Sequence, residues 1–446
     1  MNSNAENLRN FRSRLEAIGE GANGEDPMSD EERVRRAGNA FLREINGRMA
    51  VDLETCIHCG MCAEACHFYE ATQDERYTPA HKFDPLRRFY RRELSPMRWL
   101  FRPFTRKVDA AELREWQELV YDACTGCGRC DMMCPMGINI SELIVVMRKG
   151  IASAGLAPPE VQALQNEQLT GGSLFGVDAA KLRELVSQLK SQQIEVPLDQ
   201  PKADILVLTT AVDVLVFTDA LAALARIMNR SGASWTLSSK AFEAANVGLI
   251  SGNTSAQALA SGRIIDQAAA IGAKTVLIPE SGHAYQALRW EGADSSGNEL
   301  PFEVLAISEF VTRELDAGRL KFKAAANGRS VTYHDPCRLG RHGGVFEEPR
   351  RLLEAMGLEN RDTESNRREN YCCGGGCGEY TISRAAPLRQ KVFEIKRREF
   401  ENTGADAVIT ACSNCRVNLM IGAENARWQK PIESLVETVA KNLTDA

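Results

Sequence analysis

Five cysteines between Tyr333 and Cys415 stand in an order that core packing does not explain. Cys337 lies in HDPC, the adjacent pair Cys372 and Cys373 in YCCGGGCG, and Cys412 and Cys415 in ACSNC. Two neighbouring thiols cannot enter one apolar core without strain, but both can present sulfur to iron. The three glycines that follow carry no Cβ and let the backbone close on a bulky inorganic group. The set therefore points to an iron–sulfur centre rather than to reduced structural thiols. A sixth cysteine of the stretch, Cys377, stands outside the five. It is either a redox-active thiol that receives a persulfide or forms a mixed disulfide, or an inert one.

The other eight cysteines form two runs, Cys56-x2-Cys59-x2-Cys62-x3-Cys66 and Cys124-x2-Cys127-x2-Cys130-x3-Cys134-Pro135. Each is a bacterial ferredoxin run, in which the fourth cysteine ligates the other cluster. Cys56, Cys59, Cys62 and Cys134 are thus expected to hold one cubane [4Fe–4S] cluster, and Cys124, Cys127, Cys130 and Cys66 a second. Gly60, Gly126 and Gly128 supply the tight turns. The first run ends in His67 instead of proline.

Between the runs, Lys82 to Lys107 carries nine Lys or Arg interleaved with Phe89, Tyr90, Trp99, Phe101 and Phe104. Such a stretch docks on an anionic membrane surface or a membrane subunit, or is a solvated helix face above core aromatics. A net charge of −6 over 446 residues argues against nucleic acid as a partner.

The length allows two or three domains. Clustered cysteines, fourteen in all, fit a reducing compartment and metal ligation better than a secreted disulfide framework. The polar beginning shows no apolar signal region and no twin arginine. The most apolar segment, Ile205 to Met228, is broken by Asp213, Asp219 and Arg226. A cytoplasmic location is expected.

The expected fold is α+β. Residues 1–50 form a polar, helical, solvated or partner-docking extension, with Ser29 capping a helix and Glu32 three residues on. Residues 51–152 form a helical dicluster ferredoxin-like domain with the basic insertion, including helices over 109–122 and 140–152. Residues 153–202 are a connector with a helical piece over 178–193. From 203 to 446, short apolar strands (ADILVLTT, GLISGN, KTVLIPE, SVTYHDPC, DAVITAC) alternate with helices, which argues for parallel α/β layers.

This region repeats itself. GAKTVLIPESGH aligns with GADAVITACSNC, placing Glu280 opposite Cys412 and His283 opposite Cys415. Ala211 falls near the counterpart of Cys337, and no CC pair occurs around Val247 to Ser251. Residues 203–300 are then a repeat without its cysteines, and 329–446 an intact one. A lone Glu and His are more often ordinary residues than metal ligands. No dinucleotide or phosphate-loop motif appears where a strand and helix would need it. Bound flavin or nicotinamide is not expected, so electrons must come from, or go to, a partner.

The C…CC…CxxC pattern resembles the CCG domain of heterodisulfide reductase catalytic subunits and their relatives. The resemblance covers nearly the whole chain, since the D-type members of that family also carry an N-terminal dicluster ferredoxin domain. It implies that Cys337, Cys372, Cys373, Cys412 and Cys415 hold a noncubane [4Fe–4S] cluster at which disulfides are reduced or made. It places the loop of His334, Asp335, Arg338 and His342 near that cluster, where His334 or His342 would protonate a leaving thiolate. Within the family the chain most resembles the iron–sulfur component of the sulfite-reduction-associated membrane electron transport complex. The implied partners are a membrane cytochrome b or quinone-binding subunit, which would hold the chain peripherally at the inner membrane, and a disulfide, trisulfide or persulfide carrier as substrate. The alternative is a relay resembling the iron–sulfur subunit of anaerobic glycerol-3-phosphate dehydrogenase, with catalysis on a flavin-bearing chain.

Overall fold

The computed structural model describes residues 3–21, 27–297, 299–323, 328–376 and 378–444. Helices build the first half. The Ser29 hydroxyl accepts from the Glu32 amide at 3.2 Å and starts the helix Asp30–Glu44, as expected. Its buried Ala37, Ala40 and Phe41 face the helix Ile140–Ser153, and a Cβ on Gly150 would come within 2.0 Å of the Phe41 ring. Glycine at 150 is what allows these helices to cross so closely.

The N-terminal extension differs from the solvated or partner-docking expectation. Leu8, Phe11 and Leu15 of the helix Ser3–Gly21 are buried, and Phe11 meets Phe175 edge-on at 4.9 Å. Spaced by three and four residues, these side chains form one apolar stripe inside a polar composition, and that stripe docks on the connector.

The second half holds two four-stranded parallel sheets. The first contains β1 (Ile205–Val207), β2 (Trp235–Thr236), β3 (Thr275–Ile278) and β4 (Glu303–Ala306), in the order β2-β1-β3-β4. The second contains β5 (Ser330–His334), β6 (Glu359–Asn360), β7 (Ala407–Thr410) and β8 (Ile432–Ser434), in the order β6-β5-β7-β8. The central strands β1, β3 and β7 read as short, mostly apolar runs, and β5 (SVTYH) is buried along its whole length although it carries polar residues, as in a parallel sheet covered on both faces.

The segment GLISGN, expected as a strand, is the helix Val247–Ser251. The Asn246 side chain caps it by accepting from the Leu249 amide at 3.3 Å, and Gly252 at φ +81° ends it. Periodicity does not separate a short apolar run in a buried helix from one in a strand. The helices expected over 109–122, 140–152 and 178–193 are present as Ala110–Gln117 with a widened turn Glu118–Asp122, Ile140–Ser153 and Ala179–Ser191.

Candidate iron–sulfur site

The carboxyl ends of β5 and β7 carry the five-cysteine site, the end at which open parallel sheets place their ligands. Cys337 follows β5 by three residues, and Cys412 and Cys415 open the helix Ser413–Asn425 after β7. Cys372 and Cys373 arrive on an extended segment. All five are buried and free of disulfides, and the Cys337 and Cys372 sulfurs lie 3.8 Å apart. Further thiol contacts join Cys372 to Cys373, Cys373 to Cys415, and Cys415 to Cys412. The sulfurs thus form one chain through the site.

Five buried thiols cannot all ionise without a cation. Hydrogen bonds from the Cys337 and Cys373 thiols hold Cys372 well below its usual range, and the Cys415 thiol does the same for Cys412. Cys373 and Cys415 are correspondingly pushed up. A donor set that shares its protons because it lacks positive charge fits iron. The backbone fits as well, since the amides of Gly374 and Gly375 donate to the Cys372 and Cys373 sulfurs at 3.4 Å. Gly374 sits at φ +85° and Gly376 at φ +52°, where a Cβ on Gly376 would lie 2.0 Å from Glu379 Oε2. The described part of this loop closes over the sulfurs, leaving Cys372 and Cys373 only 2% and 3% exposed. Cys377 lies outside the described residues.

Around the sulfurs runs a polar shell. Asp335 accepts two hydrogen bonds from Arg350, at 2.8 and 2.9 Å, and Lys396 Nζ donates to Asn370 Oδ1 at 2.6 Å. His334 is fully buried, and neither ring nitrogen has a hydrogen-bond partner among the described residues. One ring nitrogen and the sulfurs of Cys373 and Cys415 lie within 4.8 Å of one another. Burial first, then the Lys396 ammonium, holds His334 at about 3. The ring is neutral, which suits donating a hydrogen bond to sulfur better than delivering a proton as imidazolium. His342 points elsewhere. Its ring meets the turn at Gly128, where the backbone of Cys127 and Gly126 favours its charged form against the burial that holds it at about 3.

The eight ferredoxin cysteines fall into two groups. Cys66 lines one cavity with Cys124, Cys127 and Cys130, while Cys62 has Cys56, Cys134 and Cys59 as its charged neighbours. The fourth cysteine of each run crosses to the other group. Gly60, Gly126 and Gly128 have φ of +84°, +58° and +75°, the left-handed turns expected of them. Cys59 is exposed, and Ile57 beside it is 65% exposed, so the first group opens to the surface.

The second group lies inside, against the CCG cysteines. Cys127 packs on their cluster, and its thiol is pushed up to about 11 by burial and then by the Cys372 charge. His67 is buried, and the Cys372 thiolate is the main influence opposing the burial that holds it at about 4. Arginines clamp the contact. Arg341 donates to Cys127 O at 2.8 Å, and Arg129 donates to Glu369 O at 2.6 Å with its guanidinium 3.8 Å from the Tyr371 ring centre. Arg148 pairs with Glu379 of the glycine loop and donates to Cys124 O at 2.6 Å.

In the cysteine-free half, the positions aligned in sequence with Cys412 and Cys415 do something else. The Glu280 carboxylate accepts from the Val436 amide at 3.1 Å, and burial pushes it up to about 8. His283 Nε2 bonds the Asn246 carbonyl at 2.8 Å. Each has its own protein partner, and neither joins a metal-capable group of three among the described residues. Burial also raises Glu243 to about 7 and Asp213 to about 6, and Ser413 donates to Asp213 across the two halves.

The basic stretch divides. In the helix Pro79–Glu93, Lys82, Arg87, Phe89 and Tyr90 are buried, so this part is core rather than docking surface. Arg88 pairs with Glu112, and Arg91 with Glu54 at 3.0 Å. Trp99 and Phe104 remain 73% and 87% exposed. Lys82, His67 and Arg148 were missed as site residues. For His67, its place directly after a ligand cysteine was an available signal.

Comparison with known proteins agrees with this layout. Residues 331–420 match the cysteine-rich CCG domain family, and residues 55–139 a 4Fe-4S dicluster domain. The chain is 27% identical to a subunit of the dihydromethanophenazine:CoB--CoM heterodisulfide reductase of Methanosarcina barkeri, over 92% of this chain and 98% of that one. It is 25% identical to the Hdr-like menaquinol oxidoreductase iron-sulfur subunit 2 of Archaeoglobus fulgidus, over 87% and 79%. It is 24% identical to the EtfAB:quinone oxidoreductase of Syntrophomonas wolfei, over 90% of this chain and 59% of that protein.

Proposed function

Starting from an iron–sulfur chain of dicluster and CCG domains, related over 92% of its length to a heterodisulfide reductase component, we propose that it is the iron–sulfur subunit of a heterodisulfide-reductase-like respiratory complex. It exchanges electrons between a membrane quinone or cytochrome b partner and a disulfide or trisulfide. Cys56, Cys59, Cys62 and Cys134 hold an outer cubane cluster. Cys66, Cys124, Cys127 and Cys130 hold an inner one. Cys337, Cys372, Cys373, Cys412 and Cys415 hold a noncubane [4Fe–4S] cluster. Bound there, the clusters would supply one-electron transfer and, at the five-cysteine site, sulfur-directed redox chemistry.

The observation that carries this reading is the packing of Cys127 against the CCG cysteines. A ferredoxin ligand set that abuts the sulfur site needs no mobile carrier between them. The chain's own residues do the rest. Exposed Cys59 offers the partner an approach to the outer set. Arg129 and Arg341 hold the inner set in register with the CCG loop. The amides of Gly374 and Gly375 stabilise negative charge on the Cys372 and Cys373 sulfurs. His334, neutral and unpartnered, is placed to donate a hydrogen bond to sulfur. No helix among the described residues is long and apolar enough to cross a membrane, so the membrane contact in this reading is a partner subunit.

The test is EPR on anaerobically purified, oxidised protein, with and without added thiol, beside an iron count. About twelve iron per chain and a paramagnetic signal that changes with thiol are expected. Twelve iron without a thiol response favours a second reading, in which the chain relays electrons for a flavin dehydrogenase. The burial of all five CCG sulfurs favours that alternative. About eight iron would leave the five-cysteine site empty and sink the cluster assignment.

A further inference from the structure

Lys82 is 1% exposed, yet it carries an ammonium group. Burying an unpaired charge costs several kcal/mol, so a lysine inside a protein has a counter-charge. No described carboxylate pairs with this one. Its Nζ donates to Cys66 Sγ at 3.3 Å and to the Ala123 carbonyl at 2.5 Å, and lies 5.2 Å from the centre of the Phe68 ring. It lines the same cavity as Cys66, Cys124, Cys127 and Cys130. Thr78 caps its helix and Pro79 opens it, so the side chain leaves a rigid first turn. The only anion-forming groups that reach it among the described residues are the sulfurs of the inner set, which become thiolates on binding iron.

Resting on the ligand assignment above, we propose that Lys82 sets the reduction potential of the inner ferredoxin centre. It would hold an electron there, next to the CCG site. Reduction adds one negative charge to a ligand set that is already anionic. An ammonium donating to a ligand sulfur stabilises that added charge more than it stabilises the oxidised state, and does so strongly where water is excluded. The Asp131 carboxylate acts the other way, 3.6 Å from the Cys130 sulfur, but it is itself held by the Ser141 amide at 2.9 Å. Arg148 and Arg341, which bind the carbonyls of Cys124 and Cys127, add to the Lys82 field. Disulfide chemistry takes two electrons and the ferredoxin clusters deliver one at a time. A centre biased to stay reduced beside the sulfur site keeps the first electron available when the second arrives.

The experiment is an EPR-monitored redox titration of the full chain, wild type against Lys82→Gln and Lys82→Arg, with iron counted in each. The outer centre is identified as the signal altered in Cys59→Ser. In Lys82→Gln the reduced-to-oxidised ratio of the inner centre at fixed potential should fall at least tenfold, about 59 mV for a one-electron couple. The outer centre should stay in place, and Lys82→Arg should recover most of the shift. An unshifted inner centre with full iron overturns the proposal. So does an equal shift of both centres, or loss of the inner iron in both variants, which would make Lys82 structural. Wild-type protein lacking either ferredoxin signal would instead refute the ligand assignment on which the proposal rests.

Discussion

The two parallel sheets share one strand order, yet only the second carries cysteines at its carboxyl end. Where β7 is followed by Cys412 and Cys415, β3 is followed by Glu280 and His283, each bonded to a protein group. Where β5 leads to Cys337, β1 leads to the small Ala211, whose amide donates to Glu243 at 2.9 Å. Buried, hydrogen-bonded Glu280 and Glu243 close the loops of the first half without cysteine. The halves also touch at the site itself, since Gly282 of the first donates its amide to the Cys412 sulfur.

Mutations can break or sharpen this contrast. The largest effect belongs to Cys372→Ser in the intact half. Iron should fall from about twelve to about eight per chain, and disulfide turnover should vanish while the ferredoxin centres remain reducible. Retained turnover would contradict the role given to the CCG site. Next is Gly376→Ala, which forces a Cβ into the Glu379 carboxylate at a positive φ. A loss of about 1–3 kcal/mol is expected, seen as a lower melting temperature and partial iron loss.

In the cysteine-free half, Glu280→Ala leaves the Val436 amide without its acceptor. It should cost about 1–3 kcal/mol in denaturant unfolding with iron content unchanged. Loss of iron there would mean that the first half also binds metal. A smaller effect follows from pH. The Glu280 carboxyl is raised from 4.5 to about 8 by burial, so it is protonated in the folded chain. Its contribution to stability is complete below about pH 4.5 and disappears as pH rises to about 8. Glu280→Gln should lessen the upper part of the decline, near pH 7–8, where Glu379, also raised to about 8 by burial, keeps the remainder. Glu243, at about 7, and Asp213, at about 6, should keep the lower part. Melting temperatures from pH 5 to 9 decide it. The smallest effect lies outside both halves. Arg91→Gln breaks a surface pair with Glu54 at 3.0 Å and should change stability by less than about 1 kcal/mol.

The first three sulfurs of each ferredoxin run were legible as a group because the x2 spacings place them within one or two turns of local backbone; the crossing of Cys66 and Cys134 is long-range and came from the ferredoxin pattern alone. The glycine turns, being local too, were legible. Of the strands, the central β1, β3, β5 and β7 were legible; the edge strands β2, β4, β6 and β8, two to four residues long, are too short to show a pattern, and GLISGN, a short apolar run, folds as a helix. Lys82 was misread, since its place in a run of basic residues reports charge and not depth. The helix that carries it turns that one lysine inward onto Cys66 and leaves others of the run at the surface.

By itself, the sequence determined the ligand chemistry: thiolates, their number, and the turns that aim them. These depend on residue type and on spacings of a few residues. Only the tertiary structure decided which ligand set lies beside the CCG cysteines, which cation faces it, and which sulfur group opens to the surface. Those relations join residues far apart in the chain, such as His67 and Cys372. Packing sets them, because burying a charge or a thiol is favourable only where the rest of the fold supplies its partner.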